Sequence, residues 1–340
     1  MEVKVGLIGC GNMGSGLARA CSKLEGATVV GVADPVAENA GKLADELNAR
    51  AFDDHRDLLA EDINAVIVAV PNFRHAEVSI AAAESGKHVF CEKPMALTID
   101  ECDEMIQAAK ANRVKLMVGH VLRYLPVFSK MKEIIDSGIL GEPFSIYVSR
   151  LGGGSWGNPQ SWRMKAAMCG GMLYELNVHE LDYMRYICGD VDSVSALMGN
   201  YMQFDTRDYE DTAHVMLKFR SGAIGTLMAG QCSSMGGYEG KIHCRKGTMH
   251  FDNGRRLITY KTFNGEPVKL EAENMETEPG VRRELRYFAE AITKDKEPAV
   301  PGEEGRKVIE IVQAAYISAR EGRDVKLPLR VNYGGVKDNG

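Results

Sequence analysis

A run of apolar residues, Val3–Ile8, ends in Gly9-Cys10-Gly11-Asn12-Met13-Gly14, and a helix pattern from about Met13 to Leu24 begins inside those glycines. The pattern G-x-G-x-x-G is weak alone, but a buried strand before it and a helix after it give it meaning. Gly9 allows the tight turn, Gly11 lets backbone approach a phosphate, and Gly14 lets helix and strand pack closely. The helix start then offers unpaired N–H groups and the positive end of its dipole to the same place. A dinucleotide pyrophosphate is therefore expected on Gly9, Gly11, Asn12, Met13 and Gly14.

The segments that follow extend this unit. Thr28–Ala33 reads as a strand and Pro35–Leu47 as a helix, then Ala65–Val70 as a strand covered on both faces. Arg74–Ser85 (helix), His88–Cys91 (strand), Ile99–Asn112 (helix) and Lys115–Gly119 (strand) complete the alternation. Such alternation implies a parallel sheet with right-handed crossovers. After about residue 121 the rhythm changes. Pro126–Ser137 looks helical, Phe144–Val148 extended, Gly152–Asn158 a glycine-rich loop, and Met172–Ile187 helical. Strand pairs follow: Thr212–Phe219 with Ala223–Ala229 around Ser221-Gly222, and Thr248–Asp252 with Arg255–Lys261 around Asn253-Gly254, a strong hairpin signal. Helices are expected at about Val281–Thr293 and Glu303–Arg320. The expected fold class is α/β. A Rossmann doubly wound parallel sheet occupies residues 1–121, an α+β domain with a large, mostly antiparallel sheet residues 122–330, and a fraying tail 331–340. The last helix, about 303–320, is a candidate to pack back toward the N-terminal domain.

With 340 residues the chain is long enough for two cores. A net charge of -6 disfavours nucleic-acid and anionic-membrane partners, because nothing supplies a basic face. The N-terminus enters a strand without a signal-peptide pattern, and no apolar stretch reaches the roughly 20 residues a bilayer requires. Eight scattered cysteines with no C-x-x-C pair read as reduced thiols, with neither a disulfide framework nor a zinc site. A cytoplasmic protein without a metal centre is expected.

Asp34, at the end of the second strand, is placed to accept hydrogen bonds from an adenosine ribose and to repel a 2'-phosphate. Pro35-Val36-Ala37 bring no arginine to neutralise such a phosphate, so NAD is favoured over NADP. Asp34 can also cap the helix that starts at Pro35, and the two roles are compatible.

Cys91-Glu92-Lys93-Pro94 closes the next informative strand, and ligands of open α/β sheets sit beyond the carboxyl ends of strands. By itself Lys93 reads as a surface lysine before a turn proline. Together with Gly9–Gly14 and Val70-Pro71-Asn72-x-x-His75, it makes the sequence resemble the Gfo/Idh/MocA oxidoreductase family over nearly its whole length. The resemblance continues through Trp162-Arg163, Gly170-Gly171 with Glu175 and His179, and Val325-Lys326-Leu327-Pro328. It implies that Lys93 is the active-site lysine, that Pro71, Asn72 and His75 lie along the cofactor, and that Glu92 lies near the nicotinamide ribose. It further implies that Trp162 and Arg163 reach the nicotinamide end, and that Glu175 and His179 are the acid–x3–histidine pair of the second domain. The chain departs from the family pattern at Glu175 (usually aspartate), at Met172 and Asn177 (often glycine) and at Gly119-His120 (usually glycine-aromatic).

Glu175, His179 and Asp182 fall at i, i+4 and i+7 of an otherwise apolar helix, so they share a stripe. Such a stripe is either a buried hydrogen-bonded set or the lining of a substrate cleft. The chemistry expected is reversible hydride transfer between a nicotinamide and a hydroxyl or keto carbon of a sugar, cyclitol or related polyol. Lys93 and His179 are candidates for holding the oxygen and taking its proton, with Glu175 orienting one of them. Arg123, Tyr124 and Asp182 are candidate substrate contacts. An NAD-dependent glycoside hydrolase and a non-catalytic NAD-binding regulator are the alternatives. The antiparallel sheet has a face no neighbouring helix obviously covers, so a homodimer or homotetramer through it is expected.

Overall fold

The structure, a computed structural model, describes residues 2–153, 158, 160–203 and 205–329. The expected tail at 331–340 and most of the loop at 152–158 lie outside the described residues. Two compact units form: residues 1–121 with 278–309, and residues 122–277 with the segment from 310 onward.

The first unit opens with β1 (Val3–Ile8), α1 (Asn12–Cys21), β2 (Ala27–Ala33) and α2 (Ala37–Leu47). It continues with β3 (Arg50–Phe52), α3 (His55–Leu59), β4 (Ala65–Val68), α4 (His75–Glu84), β5 (His88–Glu92), α5 (Ile99–Ala111) and β6 (Leu116–Gly119). All six strands are parallel, in the order β3-β2-β1-β4-β5-β6. The continuous apolar run of β4 is buried along its whole length, as helices on both faces require. Local signals also fix the ends: Thr98 and Glu101 form a reciprocal capping box that starts α5.

The second unit contains α6 (Pro126–Asp136), β7 (Pro143–Leu151), α7 (Ala166–Cys169), a widened π-helical turn (Leu173–Asn177) and α8 (Val178–Cys188). Then follow β8 (Val191–Gly199), β9 (Thr212–Phe219), β10 (Ile224–Gly230), β11 (Gly237–Cys244), β12 (Gly247–Asp252), β13 (Leu257–Thr262) and β14 (Val268–Leu270). Next in the chain come α9 (Gly280–Thr293) and the start of α10 (Gly302–Glu321), which belong to the first unit, and then the rest of α10 and β15 (Val325–Lys326), which belong to the second. The nine strands run β14-β13-β12-β11-β7-β10-β9-β8-β15, antiparallel except where β10 lies parallel to β7. Strand β9 buries Ala213, Val215, Leu217 and Phe219 and turns Met216 and Lys218 outward, the period-2 pattern of a sheet covered on one face. Helix α8 supplies the cover: a Cβ at Gly225 of β10 would sit 2.7 Å from Met184 Cε.

Two sequence expectations need correction. Residues 278–309 group with the first unit, although the contiguous reading placed them in the second. Helix α9 packs on α1, the Phe288 ring meets Phe90 of β5 at 5.7 Å, and Pro301 bridges to Met117 of β6. The α9 helix is thus the missing cover for one flank of the parallel sheet, a long-range match that no local pattern encodes. The Asn253-Gly254 hairpin is also looser than a two-residue turn. Asp252 pairs with Leu257, the Asp252 carboxylate accepts the Arg255 N–H, and Arg256 takes the left-handed conformation.

Candidate active site

In the first unit the candidate residues follow the carboxyl ends of four adjacent strands. Asp34 follows β2, Gly9–Gly14 follow β1, Pro71-Asn72 follow β4, and Glu92-Lys93 end β5. With strands about 4.8 Å apart, Asp34 and Lys93 are separated by three spacings, about 14 Å.

The glycine turn is built as its spacing implies. Gly9 has φ +99° and a Cβ there would lie 2.5 Å from the Ala69 carbonyl oxygen. At Gly14 a Cβ would lie 1.9 Å from the Gly9 carbonyl oxygen, so helix and turn touch through bare backbone. Around Gly11 nothing lies within 4 Å of the position a Cβ would take, and no side chain caps the helix start. Open space in front of uncapped N–H groups suits a pyrophosphate. Asp34 holds this arrangement together: one carboxylate oxygen accepts the Cys10 N–H at 2.8 Å and the other the Val36 N–H at 2.9 Å. Asp34 does not cap the following helix as expected: α2 starts at Ala37 with Val36 at its N-cap and no side-chain cap, so the Asp34 carboxylate holds the turn before the helix, and each oxygen keeps a lone pair. The Cys10 thiol is pushed up to about 12, first by burial and then by Asp34, so it is not a thiolate.

Beside Asp34 opens a pocket of about 170 Å³ lined also by Asp53, Asp54, His55, Arg56 and Arg74. The sequence reading missed these residues because β3 has only three residues and leaves no period to detect. Each arginine there has its own carboxylate, Arg56 with Asp54 at 3.4 Å and Arg74 with Glu77 at 3.1 Å. Both pairs are solvent-exposed, and Asp34, Asp53 and Asp54 give the pocket more acidic than basic side chains, which fits NAD.

At the end of β5, Glu92 is buried and accepts the Lys93 N–H at 3.0 Å. The Lys93-Pro94 peptide is cis. His75, expected along the cofactor, also acts as a strut: its ring nitrogens lie 2.6 Å from the Pro94 carbonyl oxygen and 2.9 Å from that of Val70. It thereby ties the Glu-Lys-Pro turn to the turn after β4. Glu284 of α9 was not legible in the sequence. It is fully buried with neither oxygen hydrogen-bonded among the described residues, and its carboxyl is held well above the usual range by burial and by Glu92. Burial and the neighbouring Glu92 both favour its protonated form.

In the second unit, Glu175 lies in the π-helical turn and His179 in the first turn of α8. The widened turn breaks the expected stripe, and the three polar residues do not share one set of partners. Glu175 is buried and accepts from Arg163 Nε at 2.7 Å, while the Arg163 guanidinium rests 4.3 Å over the Trp162 ring. Arg163 is thus an ionic partner of Glu175. Asp182 and Arg123, the candidate substrate contacts, are joined to each other. Both are buried and form a two-pronged pair at 2.8 and 2.5 Å. Tyr124 is buried as well, at 6% exposure. A largely buried helix satisfies its few charges by recruiting partners from several elements, which helical spacing alone cannot reveal.

A dinucleotide turn on a doubly wound sheet, a lysine two strands away and an α+β second unit define an NAD-binding oxidoreductase. The model for the oxidoreductase family with an NAD-binding Rossmann fold matches residues 3–120, and that for the family's C-terminal alpha/beta domain matches residues 132–327. The chain belongs to the Gfo/Idh/MocA oxidoreductase family. It is 31% identical to a 2,7-anhydro-N-acetylneuraminate hydratase of Escherichia coli over 74% of this chain and 68% of that one. It is 29% identical to a myo-inositol 2-dehydrogenase of Thermotoga maritima over 96% and 98%. A levoglucosan dehydrogenase solved with NADH and levoglucosan superposes with a TM-score of 0.88 at 25% identity, covering 97% of this chain and 100% of that one.

Proposed function

We propose that this protein is a dehydrogenase acting on a hydroxyl or keto carbon of a sugar, cyclitol or related polyol. The observation that carries the reading is the row Asp34, Gly9–Gly14, Asn72, Lys93 along one edge of the parallel sheet. NAD, when bound there, accepts or returns hydride at the reacting carbon. Asp34, Gly9, Gly11, Asn12, Met13 and Gly14 hold its adenosine and pyrophosphate, and Pro71, Asn72 and Glu92 hold the remainder. Trp162 and Arg163 serve its far end, with Arg163 aimed by Glu175. Lys93 donates to the reacting oxygen and stabilises its charge as the proton departs. His179 takes that proton, imidazole being the side chain whose charge changes near neutrality.

The substrate class draws support from the relatives, whose names point to polyhydroxylated rings. A second reading keeps the same residues but leaves the cofactor unchanged overall, as a glycoside hydrolase or a hydratase does, and the hydratase relative favours it. Incubation with NAD and a panel of cyclitols, aldoses and anhydrosugars decides between them. Accumulating NADH is the expected result. Product without net NADH supports the second reading, and bound NADH with no product from any member sinks both.

A cytoplasmic location accords with eight free cysteines, seven of them buried. Among the described residues no helix is long and apolar enough to cross a membrane. The outward face of the second sheet carries Tyr147, Met216, Ile224 and Leu197, all exposed, on four adjacent strands. We assign this face to a homodimer or homotetramer. Light scattering at micromolar concentration should return at least twice the chain mass, and a monomer overturns the assignment.

A further inference from the structure

The turn that carries Glu175 begins without a side-chain cap of its own. A buried carboxylate from elsewhere takes that place. Glu210, just before β9, accepts the Leu173 N–H at 3.2 Å, and the Tyr316 hydroxyl of α10 donates to the same oxygen. The Tyr316 ring stacks on Tyr174 of the π-helical turn at 5.8 Å and 16°. Gly171 passes so close that a Cβ there would lie 2.2 Å from the Tyr316 oxygen and 3.2 Å from Glu210 Oε2. Its φ of +102° already favours glycine. The Gly171 carbonyl in turn accepts the Glu175 N–H at 3.0 Å. One continuous set of contacts therefore runs from Glu210 and Tyr316 through Gly171 to the backbone of Glu175.

We propose that Glu210, with Tyr316, is a positioning residue that sets the backbone of Gly171–Asn177 and thereby the aim of Glu175 and His179. The proposal rests on the role given to those two residues above. The geometry gives Glu210 the part a capping residue plays at an ordinary helix start, delivered from a distant segment. Its carboxyl is pushed up to about 7, chiefly by burial, while the Tyr316 hydroxyl and the Leu173 and Met172 N–H groups pull the other way. The other titratable groups of this cluster are Cys169, Tyr209, Tyr174, Glu175 and Asp208. Because the folded-state value is raised, the group's contribution to stability is present at acid pH and declines as pH rises through about 7. The protonated acid has one fewer acceptor to share among its donors than the carboxylate does.

Trp162, one of two tryptophans in the chain, reports on this site through Arg163 and Glu175. Its emission can be titrated with no substrate, over about two pH units on either side of neutrality. The wild type should show a transition near pH 7 that is retained in His179→Asn and lost in Glu210→Gln. Tyr316→Phe keeps the ring but removes the donor that lowers the carboxyl value, so its transition should move to higher pH. That variant decides the matter if Glu210→Gln does not fold. In turnover of the first polyol the panel yields, Glu210→Gln should lower kcat about tenfold, the scale of one hydrogen bond to a charged group, and lose the matching ionisation. KM for NAD should stay within about twofold, since the glycine turn is untouched. An unaltered transition in both Glu210→Gln and Tyr316→Phe overturns the proposal. Normal turnover in His179→Asn overturns the catalytic reading of that residue, while the emission titration still judges Glu210.

Discussion

Replacing Lys93 with methionine should lower kcat by about two to four orders of magnitude, the range for losing a preorganised group at the reacting oxygen. NAD affinity should change by less than about threefold, because the pyrophosphate rests on backbone that this substitution leaves alone. Methionine preserves the length and apolar stem of lysine and removes only the ammonium donors. The size of the effect follows from how firmly the position is held. Its N–H is fixed on Glu92 at 3.0 Å, and the next residue's carbonyl is fixed on His75 at 2.6 Å. The side chain therefore starts from a fixed backbone, and errors of about 1 Å are costly in catalysis. Arginine should not rescue the loss, since a planar fork cannot stand in for a compact ammonium. Stopped-flow measurement of NADH formation gives the answer, and turnover within about tenfold of wild type removes Lys93 from the mechanism.

Asp34→Ala should weaken NAD binding by about one to two orders of magnitude and narrow the preference over NADP. Two effects add. The ribose loses its acceptor, and the Cys10 and Val36 N–H groups lose theirs, so the glycine turn is less well held. Hydrogen bonds to a charged group contribute about 1.5–3 kcal/mol each, and about 1.4 kcal/mol is tenfold in affinity. Removing the negative charge also removes the repulsion of a 2'-phosphate. NADP should not become preferred, because Asp53 and Asp54 still line the pocket. Calorimetric titration of both nucleotides checks this. Unchanged dissociation constants for both withdraw Asp34 from cofactor recognition.

The parts of this molecule legible in sequence are those that short-range physics encodes. Alternating buried runs and helical periods specify the doubly wound sheet, and Gly9, Gly11 and Gly14 specify a turn whose steric demands are met within a few residues. Asp34 was legible because strand-end position and charge both matter locally. The hairpin at Asn253-Gly254 shows the limit of that logic, since the Asp252 side chain draws the turn into a longer form.

By itself, then, the sequence determined the dinucleotide turn, the preference for NAD and the family. The tertiary structure alone decided who partners whom. Asp182 and Arg123 are 59 residues apart, Glu210 and Tyr316 are 106 apart, and α9 returns to cover a sheet completed far earlier in the chain. A buried charge must find a counter-charge or donor wherever the fold brings one, because leaving it unpaired costs several kcal/mol. Periodicity shows that Glu175, His179 and Asp182 are polar positions on a helix. Only packing turns the first toward Arg163 and buries the last against Arg123.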